Sequence, residues 1–171
     1  MPASAPSCAC PAANRKARMI RIGVISDTHG MLRPQALAAL AGCDHIIHGG
    51  DIGGQDILDQ LAALAPLTAV RGNNDGAPWA AAVPHSAQVQ LGGLTLHVVH
   101  DIATLAIDPV AAGVDVVIYG HSHKPLAEQR AGVLYLNPGS AGPRRFKLPV
   151  SVAELVLDQG PPQARIIELA V

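Results

Sequence analysis

Aromatic residues are nearly missing from this 171-residue chain: one Trp, one Phe and two Tyr make up 2% of it. A core with so few rings must be packed from Ala, Val, Leu and Ile, and stacking platforms for single-stranded nucleic acid are excluded with them. Charge is scarce too. Twelve Lys and Arg stand against thirteen Asp and Glu, a formal net charge of -1, so there is no broad basic face to grip a phosphate backbone, and no stable nucleic-acid complex is expected. The three cysteines, Cys8, Cys10 and Cys43, are odd in number and lack zinc-type spacing. They imply no disulfide framework and suit a reducing cytoplasm. Even the apolar stretch from Val110 to Tyr119 is too short to span a membrane and is interrupted by Asp115. What the chain does have is aliphatic bulk, with 49% hydrophobic residues and a mean hydropathy of +0.28, and eight histidines.

Length and composition fit one globular domain. Residues 1–18, MPASAPSCACPAANRKAR, are rich in Ala, Pro and Ser and then basic, without the apolar stretch of a secretory signal. They read as a flexible tail, and Met19, just before the first strand-like run, marks an alternative start for a single domain over 19–171. Short β-branched runs then alternate with helix-like stretches: IRIGVIS (20–26), HIIH (45–48), LTAVR (67–71), LTLHVV (94–99) and VDVVIY, ending at Tyr119. Two helices are expected in PQALAALAG, with Pro34 suited to a first helical position, and in QDILDQLAAL, apolar at Ile57, Leu58, Leu61 and Leu64. After His123 the alternation stops. VLYLN, VSVAELVLD and ARIIELA, separated by turns, predict antiparallel strands closing a layered α/β domain with helices outside two sheets.

Chemistry-bearing residues follow each strand-like run. Asp27 and His29 come after the first, Asp51 after the second, Asn73 after the third, His100 after the fourth, and His121 with His123 after the fifth. Ligands of open α/β sheets bind beyond the carboxyl ends of the strands, so these seven groups are expected to meet at one edge. Each has a plainer reading alone: Asp27 as a helix cap, His121 and His123 as a solvated turn. Together they form an oxygen and imidazole set without thiolate, which suits catalytic Mn, Fe, Ni, Co or Zn rather than a structural zinc ribbon. Seven donors are too many for one ion and sufficient for two, with Asp51 in GGD the natural bridge.

The strings SDTHG (26–30), GGD (49–51), GNND (72–75), a strand ending in His100, GHSH (120–123) and NPGS (137–140) occur in this order between Met19 and Arg145. With them the chain resembles the calcineurin-like metallophosphoesterases, above all their small single-domain bacterial and archaeal phosphodiesterases. The resemblance implies an α/β fold, an αββα sandwich of two mixed β-sheets flanked by helices, with the metal site at the strand C-terminal edge. It implies two divalent ions, Mn2+ foremost, the first held by Asp27, His29 and His123, the second by Asn73, His100 and His121, with Asp51 between them. It further implies hydrolysis of small phosphodiesters, or of phosphomonoesters, by a metal-activated hydroxide, with Asp51, Asn73 and His100 as catalytic residues. A homo-oligomer is compatible with the likeness. The competing reading is a non-catalytic scaffold, since a relative in the retromer coat keeps this fold as an interaction surface. Replaced ligands would mark that outcome, and none of the seven is replaced here.

Two positions depart from the family pattern. Asn74 stands where larger phosphatases of the superfamily have a histidine, and an amide is a poor proton donor. Asp101 follows His100 where small relatives commonly have glycine, bringing bulk and negative charge to the second ion's side. Arg71, Asn74 and Arg144 are the expected substrate contacts, with Arg145 as a further cation and surface ion pairing as the plainer reading. Asp75 is expected to hydrogen-bond rather than to ligate, and His48 either to support GGD or to sit in the core.

Overall fold

The structure, a computed structural model, describes residues 18–171; the expected tail, with Cys8 and Cys10, lies outside the described residues except for Arg18. Ten strands follow in chain order: β1 (Ile20–Ile25), β2 (His45–His48), β3 (Leu67–Ala69), β4 (Ser86–Leu91), β5 (Leu94–Val99), β6 (Val116–Ile118), β7 (Leu126–Arg130), β8 (Val133–Asn137), β9 (Ser151–Leu157) and β10 (Gln163–Glu168). They pair into two five-stranded sheets, ordered β10-β9-β1-β2-β3 and β4-β5-β6-β8-β7. Each sheet is mixed. β1, β2 and β3 are parallel, as are β5, β6 and β8, while the remaining strands run antiparallel to their neighbours.

Alternation along the strands builds three apolar layers. Ile22, Val24, Ile47 and Leu155 of the first sheet meet Leu96, Val98, Val116, Ile118 and Leu136 of the second to form the core between the sheets. Outside the first sheet, α1 (Pro34–Leu40) buries Ala36 and Leu40 and α2 (Gln55–Ala62) buries Ile57, Leu58 and Leu61. At Gly23 a β-carbon would collide with Leu40, so glycine on β1 is what allows α1 to lie this close. Outside the second sheet the cover is thinner. There Ile102, Leu105 and Ile107, from a short 3-10 helix (Ile102–Thr104) and the turns after it, pack on Val99, Val117 and Tyr119. Pro109 and Gly113 leave no room in that connection for a full helix.

The two-sheet sandwich agrees with the reading of the sequence, but VLYLN, expected as an antiparallel closing strand, is β8 and runs parallel to β6, and two strands add to the expected set. β4 and β7 are edge strands with mostly polar outer residues, each folded onto its neighbour by a two-residue turn of positive φ: Gly92-Gly93 before β5, Ala131-Gly132 before β8. No helix among the described residues is long and apolar enough to cross a membrane. Leu155 is fully buried in the core between the sheets. We expect Leu155→Ala to lower stability by about 3 kcal/mol, read from the urea midpoint, without changing the far-UV spectrum.

Candidate metal centre

The parallel strands of both sheets deliver their carboxyl ends to one edge. There Asp27, His29, Asp51, His121 and His123 all take positive φ, between 47° and 64°. Ala131 and Phe146 are the other non-glycine residues of that kind among the described residues. Asp and His tolerate this conformation better than most residues, yet each instance costs on the order of 1 kcal/mol.

Two groups of electron-rich atoms result. In the first, His29 Nε2 and His123 Nε2 face each other at 3.3 Å, and Asp27 Oδ1 lies 3.2 Å from His123 and 3.9 Å from His29. In the second, Asn73 Oδ1 lies 3.1 Å from His100 Nε2 and 3.0 Å from His121 Nδ1. Asp51 Oδ2 stands between the groups, 3.8 Å from His29 Nε2 and 3.5 Å from His100 Nε2. Asp27, His29 and His123, and likewise Asp27, Asp51 and His100, offer ligand atoms close enough to share one ion. The buried Asp27 Oδ1 has no hydrogen-bond partner, a costly state for a carboxylate oxygen and one that a cation relieves.

Two buried carboxylates, Asp27 and Asp51, set the electrostatics of the site. Burial alone would raise the Asp51 carboxyl, but hydrogen bonding from His100 and from the Asn74 backbone outweighs it and holds the group well below the usual carboxylate range. Burial lowers His29 although Asp51 and Asp27 oppose it. His100 goes the other way: burial disfavours its charge, while Asp51 and the Gly49 carbonyl pull it above its ordinary value. That carbonyl can only accept, at 2.7 Å, so His100 Nδ1 carries a proton in either charge state, and when the ring gives up its other proton Nε2 is the nitrogen left bare toward the pocket.

A model of the calcineurin-like phosphoesterase superfamily domain matches residues 20–160. The chain belongs to this superfamily. A probable metallophosphoesterase of Methanothermobacter thermautotrophicus is 34% identical over 158 residues, covering 85% of this chain and 91% of that protein. The phosphodiesterase YfcE of Escherichia coli is 30% identical over 153 residues, covering 71% of this chain and 79% of that one. Among solved structures, an archaeal phosphodiesterase superposes with a TM-score of 0.74 at 26% identity over 88% of this chain and all of that one. Vacuolar Protein Sorting 29 of Cryptosporidium parvum, at 19% identity and a TM-score of 0.72 over 90% and 99% of the two chains, shares the fold. Superfamily membership implies divalent metal ions, and the oxygen and imidazole donors gathered at this edge suit them.

The superfamily strings also contain supports that the sequence alone does not reveal. Ser26 donates to Asp27 Oδ2 at 2.7 Å, as does the His121 amide at 3.1 Å, leaving Oδ1 for the pocket. In NPGS, Asn137 donates to Gly120 O at 2.8 Å and Ser140 donates to Asp27 O at 2.9 Å, tying the GHSH and SDTHG loops together. Asp75 accepts from the Ile52, Gly53 and Gly72 amides, as expected of a hydrogen-bonding group, and so clamps GNND onto GGD. A β-carbon on Gly72 would run into the Asp51 carboxylate, so only glycine fits there.

Of the expected substrate contacts, only Arg71 lines the cleft of about 460 Å³ that opens beside Asn73, His100 and His121. It donates to His85 Nε2 from the far wall. Asn74 instead gives its backbone N–H to Asp51 Oδ1 at 2.8 Å and its side-chain N–H to Oδ2 at 2.7 Å, so its donors fix the carboxylate rather than reach outward. Arg144 is exposed and makes no side-chain hydrogen bond among the described residues; the neighbouring charge felt at His29 is that of Arg145. Asp101 caps the 3-10 helix through the Ala103 amide at 2.9 Å, with its other oxygen 3.9 Å from His121 Nε2.

His48 is a support, fully buried behind the GGD turn. Its Nδ1 accepts from the Gly50 amide at 3.1 Å, so Nε2 carries the proton and donates to Thr28 Oγ1 at 3.0 Å. Burial lowers its pKa from 6.5 to about 4. Between those values the unfolded chain takes up a proton that the folded chain refuses, so this contribution to stability falls as pH falls through that window. In chelator-treated protein we expect the wild type to lose roughly 2 kcal/mol more than His48→Asn between pH 7 and pH 5, measured by urea denaturation.

Proposed function

We propose that the chain hydrolyses phosphodiesters at a two-metal centre. Asp27, His29 and His123 would hold one divalent ion, and Asn73, His100 and His121 the other, with Asp51 shared and Mn2+ the foremost candidate. The observation that carries this reading is Asp51 Oδ2 standing between the two donor groups, within 3.8 Å of one and 3.5 Å of the other. Held by these residues, two divalent ions would supply a lowered pKa for water and positive charge against that building on phosphoryl oxygens.

The remaining work falls to the chain's own residues. Ser26 and the His121 amide orient Asp27, Asn74 orients Asp51, and the Gly49 carbonyl sets the tautomer of His100. Arg71, held by His85 in the cleft, supplies a guanidinium for a non-bridging oxygen. With an amide at position 74 and its donors engaged by Asp51, the leaving group takes its proton from solvent, which favours esters whose leaving group is already a weak base. The names of the phosphodiesterase relatives in Methanocaldococcus jannaschii and Escherichia coli support diesters over monoesters. A buried, unpaired Cys43 accords with a cytoplasmic protein. The scaffold reading needs lost donors, and all seven are present.

Chelator-stripped protein is expected to be inactive, and adding back Mn2+, Fe2+, Ni2+, Co2+ or Zn2+ singly to restore turnover of diesters above monoesters in a chromogenic panel. Asp51→Asn and His121→Ala are each expected to lower turnover by at least about 100-fold with an unchanged far-UV spectrum. Near-normal turnover in either metal-loaded variant would overturn the proposal.

A further inference from the structure

The rim on the His29 side carries groups that holding two cations does not require. Phe146, the chain's one Phe, is 93% exposed at the tip of the loop PRRFKL (143–148), with a φ of 54°. A bulky side chain rarely takes that backbone conformation, and nothing in the core compensates it here. The turn is closed by Leu148 N donating to Arg145 O at 3.2 Å. Arg144, Arg145 and Lys147 flank the ring, three of the chain's twelve cationic residues in four positions. Among the described residues the ion pairs of Arg and Lys belong to Arg18, Arg21, Arg130 and Arg165, so these three are unpaired.

This loop is anchored to the site itself. Gly142 N donates to Asp27 O at 3.2 Å, and Arg33 donates to Gly142 O from Nε at 3.3 Å and from its terminal nitrogen at 3.2 Å. The SDTHG loop on the other side of that joint exposes Met31, 41% accessible, just after His29 and Gly30. The cleft with Arg71 and His85 opens on the opposite, Asn73 and His121 side. The loop that carries the exposed ring and its cations is thus joined to the Asp27 and His29 side of the site, where the charge of Arg145 is felt at His29, and the polar cleft to the Asn73 and His121 side.

We propose that the 143–148 loop recognises a planar ring, aryl or nucleobase, on one limb of an anionic phosphoester, with Phe146 stacking on it and Arg144 and Arg145 drawing in the anion. Ring stacking on an aromatic side chain is sequence-tolerant and suits a tip that has no pocket of its own. Arginine in place of a packed surround gives charge steering without fixing geometry. The inference rests on the phosphoesterase reading for where the phosphoryl group sits.

The test compares non-hydrolysable phosphonate analogues of the methyl diesters of AMP and of glycerol 3-phosphate, which match in charge and differ in the ring, by calorimetry on the Mn2+-loaded full chain. Wild type is expected to prefer the AMP analogue. Phe146→Ala should weaken that analogue about tenfold and leave the glycerol analogue within about twofold. Arg144→Gln with Arg145→Gln should weaken both. In Phe146→Trp, emission above the Trp79 background should be quenched by the AMP analogue and not by the other. Equal affinities in wild type, equal losses in Phe146→Ala, or an unquenched tryptophan would overturn the inference. Absence of hydrolysis with every metal and ester would overturn the phosphoesterase reading instead, because the ring preference is read from binding.

Discussion

Electron-rich atoms at this site are held closer together than they would settle on their own. Two imidazole nitrogens at 3.3 Å, a buried carboxylate oxygen with no donor, and a second carboxylate between two histidines repel or starve one another in the absence of positive charge. What holds them is backbone. Asp27, His29 and Gly30 donate their amides in succession to the carbonyls of Gly50, Asp51 and Ile52, lacing the first loop to the second. Three of the left-handed residues, Asp27, His29 and Asp51, sit at that seam. Their strain is local, while the sandwich that sustains it is spread over the aliphatic layers between and outside the sheets.

How much of this could be read from the residues depended on which forces act locally. β1, β2, β5 and β6 are legible because buried parallel strands demand β-branched runs, and the donors are legible because each follows such a run. β4 and β7 escaped because an edge strand exposes half or more of its residues: SAQVQL and LAEQR look like loops until the turns beside them are noticed. Asn74 and Asp75 are neighbours of similar chemistry, yet one holds a carboxylate and the other three amides, a distinction created only when GNND docks on GGD. Nor does the pair Arg144-Arg145 say which of its members is felt at His29, since that depends on how the loop turns at Phe146.

Membership in the superfamily and possession of its chemistry are separate matters. Vacuolar Protein Sorting 29 of Cryptosporidium parvum shares the sandwich, and a fold by itself decides nothing about turnover. The donors at the strand ends and what surrounds them carry the argument. Here the surround has its own character: an amide that steadies Asp51, and an aspartate after His100 that caps a helix turn beside His121.

Asp27, His29, Asp51 and Asn73 follow strands of the first sheet, whereas His100, His121 and His123 follow strands of the second. The layers touch through interlocking aliphatic side chains whose close packing transmits strain. A displacement of one layer against the other would open or narrow the gap between the donors of the two sheets. An ion held across that gap would act as a rivet between layers, and methyl-sized changes deep in the sandwich would become a remote dial on which cation fits.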